Sequence, residues 1–153
     1  MRKGGRPGAA VAGPLHLAVQ YACNDAALPS RSQVRRWVRV AAPAGGEFTV
    51  RFVEEAEGNA LNRDYRGKPY ATNVLSFPYA EDPPAGDLVV CLPVVRREAE
   101  AQGKRLRDHF AHLIVHGILH LQGYDHETGP EDAERMEARE REILAAFRIA
   151  DPY

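Results

Sequence analysis

The chain has 153 residues, a length that predicts one domain with a core large enough to fold without disulfide cross-links. Hydrophobic residues make up 44% of the chain and charged residues 27%, the composition of an ordinary globular protein. Because the formal net charge is only −1, the composition excludes a protein that attracts nucleic acid with its whole surface. Any phosphate-binding site must therefore be a local basic patch.

Residues 1–14 predict a disordered, mildly basic extension, and the folded domain is expected over 15–153. The apolar run at 9–12 is too short for a signal peptide, and no segment is long enough to cross a bilayer. Cys23 and Cys91 lie in no close metal-ligand spacing and are expected to be buried free thiols. These features predict a cytoplasmic protein without membrane contact.

The first half of the chain predicts two strands that alternate with two helices. Residues 15–23 and 48–53 show the alternation of apolar and polar side chains that is typical of strands. Ser30 and Gln33 form a capping-box pattern that begins a helix between these strands. A second helix is expected over 54–63.

The next segment predicts two strands and a third helix. Short apolar runs at 73–77 and 88–92 predict strands on either side of a loop at 82–86. Pro93 suits the first turn of a helix, and Gly103 suits its end.

Two longer helices complete the chain. A wide apolar stripe predicts a helix over 106–121. Thr128 and Glu131 form a second capping-box pattern, and this final helix is expected to reach Phe147, with its Glu and Arg residues on a solvated face. The order β-α-β-α-β-β-α-α-α predicts an α+β domain, close to α/β, in which five helices surround a small mixed, mostly parallel four-stranded sheet.

Histidines are concentrated on the helix at 106–121 and in the residues that follow it. Four of them share one helix face, namely His109, His112, His116 and His120. Helical residues four apart are separated by about 6 Å along the axis and residues eight apart by about 12 Å. Because zinc–nitrogen bonds are only about 2.0–2.1 Å long, a straight helix can supply two adjacent ligands but not three. A third ligand must come from chain that turns back.

The sequence provides such a turn directly after the long helix. Gly123 can adopt a positive φ, end the helix and return His126 toward the metal. The spacing H-x3-H-x5-H therefore selects His116, His120 and His126 as ligands of one zinc-type ion at the end of the long helix. Three histidine ligands leave a fourth position open for water, which is the arrangement of catalytic zinc sites.

Neighbouring residues leave alternatives open. His109 and His112 could orient a ligand, bind substrate or be solvated, and Asp125 could cap the turn or accept a hydrogen bond from a ligand histidine. The histidine spacing also matches metzincin proteases, which place a glutamate base directly after the first histidine. That position is Gly117 here, so peptide hydrolysis by the same mechanism is disfavoured.

Two basic clusters are candidates for phosphate contacts. The segment 63–68 contains Arg66 and Lys68. Its cations either interact favourably with the dipole at the end of a helix or bind a phosphate. The second cluster precedes and enters the long helix and consists of Arg96, Arg97, Lys104, Arg105 and Arg107. Its members are either solvated charges or a track for an RNA backbone.

The segments at 61–68, 72–78, 86–88 and 116–126 together resemble the YbeY family of endoribonucleases, also called rRNA maturation factors. The last of these segments reads HGILHLQGYDH, a highly specific signature, and the resemblance covers roughly 15–153. It implies a small mixed sheet surrounded by helices.

The resemblance also implies an activity and its participants. His116, His120 and His126 would hold one zinc ion per chain, His116 and Arg66 would be catalytic residues, and Arg66 and Lys68 would contact the substrate. The expected reaction is single-strand-directed RNA cleavage in maturation of the 3′ end of small-subunit rRNA and in ribosome quality control. The expected partners are RNA, the small ribosomal subunit and assembly factors, with no DNA.

Two other hypotheses remain beside this one. One is a metalloprotease whose base comes from elsewhere in the chain. The other is a non-catalytic ribosome-assembly module in which the metal only stabilises the end of the long helix.

Overall fold

The computed structural model describes residues 13–68, 72–125 and 127–153. Within these ranges the chain forms four strands and five helices. In chain order they are β1 (Leu15–Tyr21), α1 (Arg31–Ala41), β2 (Gly46–Val53), α2 (Glu55–Arg66), β3 (Val74–Glu81), β4 (Pro84–Cys91), α3 (Leu92–Gln102), α4 (Leu106–Leu121) and α5 (Pro130–Ala146).

The four strands form one mixed sheet in the order β1-β2-β4-β3. β1 pairs with β2 and β2 pairs with β4 in parallel, because helical crossovers connect these neighbours. β3 pairs antiparallel with β4 across a tight turn and forms one edge of the sheet. The predicted α+β class, with a mostly parallel four-stranded sheet and five helices, is confirmed.

The main core lies between one face of the sheet and the helices α1 and α4. The alternating residues Phe48, Val50 and Phe52 of β2 point into this layer. α5 packs on α4 from the other side through buried Met136 and Leu144. α4 is therefore packed between the sheet and other helices. This location agrees with its sequence, since most of its residues are apolar and buried.

The predicted loop at 82–86 is too long, because only residues 82–83 form a turn, and the predicted strand ends on either side of it are wrong. β3 continues past Pro78 to Glu81, and β4 begins at Pro84. Proline lacks the N–H that an interior strand must donate, but β3 is an edge strand and can accommodate it. Tertiary pairing thus extends both strands through residues that locally favour a loop.

The two capping-box predictions have opposite outcomes. The Ser30 hydroxyl accepts a hydrogen bond from the Gln33 backbone N–H, and the Gln33 side chain accepts one from the Ser30 N–H. At α5 the prediction is wrong, because Gly129 occupies the N-cap position and makes no side-chain cap. The Thr128 hydroxyl instead donates to the Asp132 carboxylate at 2.5 Å.

Only the last two residues of the predicted N-terminal extension lie within the described residues. Residues 1–12 of the predicted extension lie outside the described residues. Pro14 is tied to the domain, since its carbonyl accepts a hydrogen bond from the Gly46 N–H at 3.1 Å. None of the helices in the described ranges is long and apolar enough to cross a bilayer.

α4 approaches the sheet most closely at Gly117. A Cβ atom at this position would lie 2.6 Å from Cδ2 and 2.9 Å from Cδ1 of Leu88, a fully buried side chain of β4. These distances are too short for carbon atoms, so only glycine fits without movement. The absence of a side chain at 117 therefore sets the distance between the histidine-bearing helix and the sheet.

Replacing Gly117 by alanine tests this constraint. On an exposed helix the change would stabilise the fold by about 1 kcal/mol. Here we expect it to lower the free energy of unfolding by about 1–3 kcal/mol, because the added methyl group overpacks the core. Urea denaturation measures the effect, and the penalty should shrink in a Leu88→Ala background that removes the clashing atoms. Purely additive losses in the double variant would contradict the explanation.

Candidate active site

A cleft of about 380 Å³ lies between α4, the beginning of β3, the end of α2 and the C-terminal residues. α4 contributes His116 and His120, α2 contributes Arg66, and the C-terminal segment contributes Tyr153. The predicted catalytic pair, Arg66 and His116, thus comes together although the two residues are 50 positions apart. Lys68 is exposed two residues beyond α2 and, within the described ranges, does not line this cleft.

α2 reaches one turn further than predicted and ends at Arg66 rather than at residue 63. Gly67 follows as the C-cap in the left-handed conformation, with a φ of 70°. The helix end therefore carries Arg66 to the mouth of the cleft, where the negative end of the helix dipole also favours a cation.

The second basic cluster is divided between different places in the fold. Arg96 donates to Asp25 at 2.8 Å, and Arg97 binds Glu55 with two hydrogen bonds of 3.1 and 3.2 Å. Lys104 and Arg105 instead line a separate cavity of about 290 Å³, which also reaches His112. The cluster as a whole does not form one continuous basic track.

His116 is oriented by a buried carboxylate on α5. Its Nδ1–H donates to Oε2 of Glu140 at 3.0 Å, and Glu140 is fully buried. The other carboxylate oxygen accepts hydrogen bonds from His112 Nε2 at 2.9 Å and from the Tyr153 hydroxyl at 2.6 Å. Three donors therefore converge on one carboxylate directly behind the cleft.

Burial alone would raise the pKa of the Glu140 carboxyl. The hydrogen bonds from His112, His116 and Tyr153 outweigh burial and lower this pKa to about 2. Burial, followed by the bond to Glu140, raises the pKa of the Tyr153 hydroxyl. At neutral pH Glu140 is thus an ionised acceptor and Tyr153 is a protonated donor.

His120 is oriented by the turn that ends α4. Gly123 has a φ of 100° and reverses the chain, as predicted. The carbonyl of Tyr124 then accepts a hydrogen bond from His120 Nδ1–H at 2.8 Å. Asp125 caps this turn, since its carboxylate accepts the N–H of Glu127 at 2.8 Å.

The donor chemistry of the two helical histidines fits a metal ion. In a neutral imidazole whose Nδ1 carries the proton, Nε2 carries the lone pair that binds metal. Both His116 and His120 have their Nδ1–H committed to protein acceptors, which is the usual arrangement behind ligand histidines. The third predicted ligand, His126, lies outside the described residues, and within those residues no group of three or more candidate ligands is close enough to hold an ion.

The two upstream histidines support the site from behind. His112 donates to Glu140 and so belongs to the group that orients His116. His109 is buried and contacts Glu98 at 2.8 Å, and Glu98 also accepts from the Asn73 amide at 3.0 Å. Burial lowers the pKa of His109, which favours its neutral form. The Glu98 contact thus holds Asn73, which directly precedes β3 and lines the cleft.

Position 117 does not face the cleft. A side chain there would point at Leu88 in the core, so a glutamate could not act as a general base on bound water. The structure thus gives a packing reason for the missing protease base.

Histidines of α4 and an arginine of α2 share one cleft in this α+β domain, a set of side chains that suits a hydrolase acting on phosphate esters. A family model described as Endoribonuclease YbeY matches residues 24–148 of the chain. The chain belongs to this family, as its signature segments predict.

Individual relatives agree with this assignment. The Endoribonuclease YbeY of Thiobacillus denitrificans is 56% identical over 142 residues, covering 91% of this chain and 96% of that protein. The Endoribonuclease YbeY of Aromatoleum aromaticum is 57% identical over 143 residues, covering 91% and 92%. A solution structure of a Thermotoga maritima protein is similar with a TM-score of 0.61 at 25% identity, covering 86% of this chain and 91% of that one.

Glu140 and Tyr153 were not identified from the sequence as site residues. The expectation that all Glu and Arg residues of α5 form a solvated face is wrong for Glu140. A signal for it exists, because Glu140 lies four residues after Met136 and four before Leu144, on the buried stripe of α5. Tyr153 lies beyond the last helix, and no sequence pattern marks it.

Replacing Glu140 by glutamine should weaken the fold and release His116. The amide presents only one acceptor oxygen, so at least one of the three donors loses its partner. We expect the free energy of unfolding to fall by about 1–3 kcal/mol. In ¹⁵N-edited NMR spectra we also expect loss of the protected Nδ1–H signal of His116.

Glu142→Gln is the matched control, because Glu142 is on the same helix and its side chain is mostly exposed. Its effect on unfolding should stay within about 0.5 kcal/mol. If both glutamine variants have the same free energy of unfolding and the same His116 Nδ1–H signal, the hydrogen bonds to Glu140 do not hold His116.

Proposed function

We propose that this protein is a metal-dependent endoribonuclease that cleaves single-stranded RNA in the cleft described above. The observation that carries the proposal is that Arg66 of α2 lines the same cleft as His116 and His120 of α4. A cation that faces two oriented imidazoles suits a substrate with a phosphate at the point of reaction. Membership in a family of endoribonucleases supports RNA as that substrate.

Arg66 is the candidate for stabilising charge at the scissile phosphate. Its planar guanidinium can donate two hydrogen bonds to phosphate oxygens, and negative charge grows on these oxygens as the phosphodiester is cleaved. Its position at the end of α2 places it in the cleft that His116 and His120 also line, within reach of the same bound phosphate. Lys68, two residues further on, is proposed to contact the substrate outside the cleft.

The metal proposed for the site is one zinc ion per chain, held by His116, His120 and His126. Such an ion lowers the pKa of bound water and polarises a phosphoryl oxygen. The hydrogen bonds that fix Nδ1 of His116 and His120 support this ligand set, because they leave the lone pair on Nε2.

The cellular role proposed for the chain is the one that its resemblance to the YbeY family implies. We propose that it acts in maturation of the 3′ end of small-subunit rRNA and in ribosome quality control, with the small ribosomal subunit and assembly factors as partners. The cytoplasm is the proposed location, and the free thiols of Cys23 and Cys91 agree with a reducing compartment.

Two variants test the role of Arg66. Arg66→Ala should lower the rate of single-stranded RNA cleavage by about 10²- to 10³-fold, as expected when one group that stabilises transition-state charge is removed. Arg63→Ala is the matched control, because Arg63 is on the same helix and pairs with Asp64. The measurement is single-turnover cleavage of an end-labelled oligonucleotide, and equal rates in the two variants would exclude the proposed role.

Removal of the metal gives an independent test. Protein purified without added metal should contain one zinc ion per chain by elemental mass spectrometry. Chelation should abolish RNA cleavage, and stoichiometric zinc should restore it. His116→Ala and His120→Ala should each lose the ion, whereas His109→Ala should retain it, since the His109 ring contacts Glu98.

Two further measurements separate the remaining alternatives. A non-catalytic assembly module predicts bound metal with four protein ligands and no RNA cleavage, and a cobalt-substituted sample would report the ligand number by its absorption spectrum. A metalloprotease predicts chelator-sensitive peptide cleavage. The core-facing direction of position 117 makes this outcome unfavourable.

A further inference from the structure

We propose that Tyr153 is a functional residue of the cleft, with two roles that belong to different parts of its side chain. Its hydroxyl positions His116 through Glu140, and its ring forms a wall on which an unstacked base of single-stranded RNA stacks. The second role rests on the proposed function, whereas the first does not.

The positioning role follows from the hydrogen bonds behind the cleft. The Tyr153 hydroxyl donates to Oε1 of Glu140 at 2.6 Å, and Oε2 of the same carboxylate accepts the Nδ1–H of His116 at 3.0 Å. Glu140 is fully buried, so each of its hydrogen-bond donors matters to the satisfaction of its charge. The hydroxyl therefore helps to fix the plane of the carboxylate and, through it, the direction of the His116 ring.

The stacking role follows from the exposure and place of the ring. Tyr153 keeps 53% of its surface exposed, although its hydroxyl end reaches a buried carboxylate. It lines the cleft together with Arg66 and His116, so a base next to the scissile phosphate would meet the ring. Single-stranded RNA presents unstacked bases, and aromatic side chains bind them without regard to sequence.

The ring is held in place before any ligand binds. The Arg141 guanidinium lies over it at 5.4 Å from the ring centroid, and the His112 ring meets it at nearly a right angle, with 5.4 Å between the ring centroids. A base would therefore stack on the part of the ring that these two contacts leave exposed. The backbone N–H of Tyr153 also donates to Asp151 at 2.9 Å. Asp151 in turn forms an ion pair with Arg141 at 2.9 Å. Because the side chain is already ordered, stacking a base on it costs little conformational entropy.

Tyr153→Phe isolates the hydroxyl, because it removes one hydrogen bond and keeps the ring. We expect kcat for RNA cleavage to fall about 10-fold, the effect of one hydrogen bond to a charged group, while KM stays within about twofold. Zinc affinity, measured by competition with a chelating dye, should fall by a similar factor. This second measurement does not depend on RNA.

Tyr153→Leu removes the ring as well as the hydroxyl. Binding of a labelled single-stranded RNA, measured by fluorescence anisotropy in the presence of chelator, should be about 5- to 100-fold weaker than for Tyr153→Phe. Tyr65→Phe and Tyr65→Leu are the matched controls. Tyr65 is 69% exposed but packs edge-on against Phe77, which points to the opposite face of the sheet from Ser76 in the cleft.

Three results would overturn the proposal. Unchanged kcat and zinc affinity in Tyr153→Phe would remove the positioning role, and equal RNA affinity of Tyr153→Phe and Tyr153→Leu would remove the stacking role. If the Tyr153 variants have a lower melting temperature but unchanged affinities for zinc and RNA, Tyr153 has only a structural role. A wild-type protein that neither binds nor cleaves RNA would instead overturn the proposed function, and the zinc measurement would still test the positioning role.

Discussion

The arrangement of the cleft depends on one buried carboxylate. Glu140 has no contact with solvent, and transfer of a charge to such a place costs several kcal/mol unless donors surround it. His112 and His116 of α4 and Tyr153 of the C-terminal residues supply those donors. The need to satisfy Glu140 therefore ties α4, α5 and the C-terminal residues into one unit and sets the orientation of the ring that faces the cleft.

A second constraint acts from the opposite side of α4. Gly117 lets the helix lie directly on Leu88 of β4, and this contact brings the histidine face of α4 level with the edge strand β3. The cleft can form there because β3 runs antiparallel at the edge of the sheet and starts next to α4. Because position 117 faces the core, a glutamate there could not act as a protease base, so one position affects both packing and chemistry.

Much of the fold could be predicted because its signals are local. Ser30 caps α1 through bonds within four residues, and the alternation at 48–53 follows from having one sheet face buried. The strands β3 and β4 were predicted but too short, because Pro78 and the segment 82–86 favour a loop locally, and only the pairing of the two strands extends them. The predicted cap by Thr128 was wrong for a similar reason. The backbone conformation places Gly129, not Thr128, at the N-cap of α5.

By itself the sequence determined the helix that carries the histidines, the turn at Gly123 and the family, because each rests on spacing along a short segment. Only the tertiary structure decided that Arg66 lines the same cleft as His116 and that Glu140 and Tyr153 hold the His116 ring through hydrogen bonds. These contacts join residues from 13 to 50 positions apart, and no local periodicity encodes them. Their geometry arises when helices pack on the sheet, because the direction of each side chain depends on how neighbouring elements fit together.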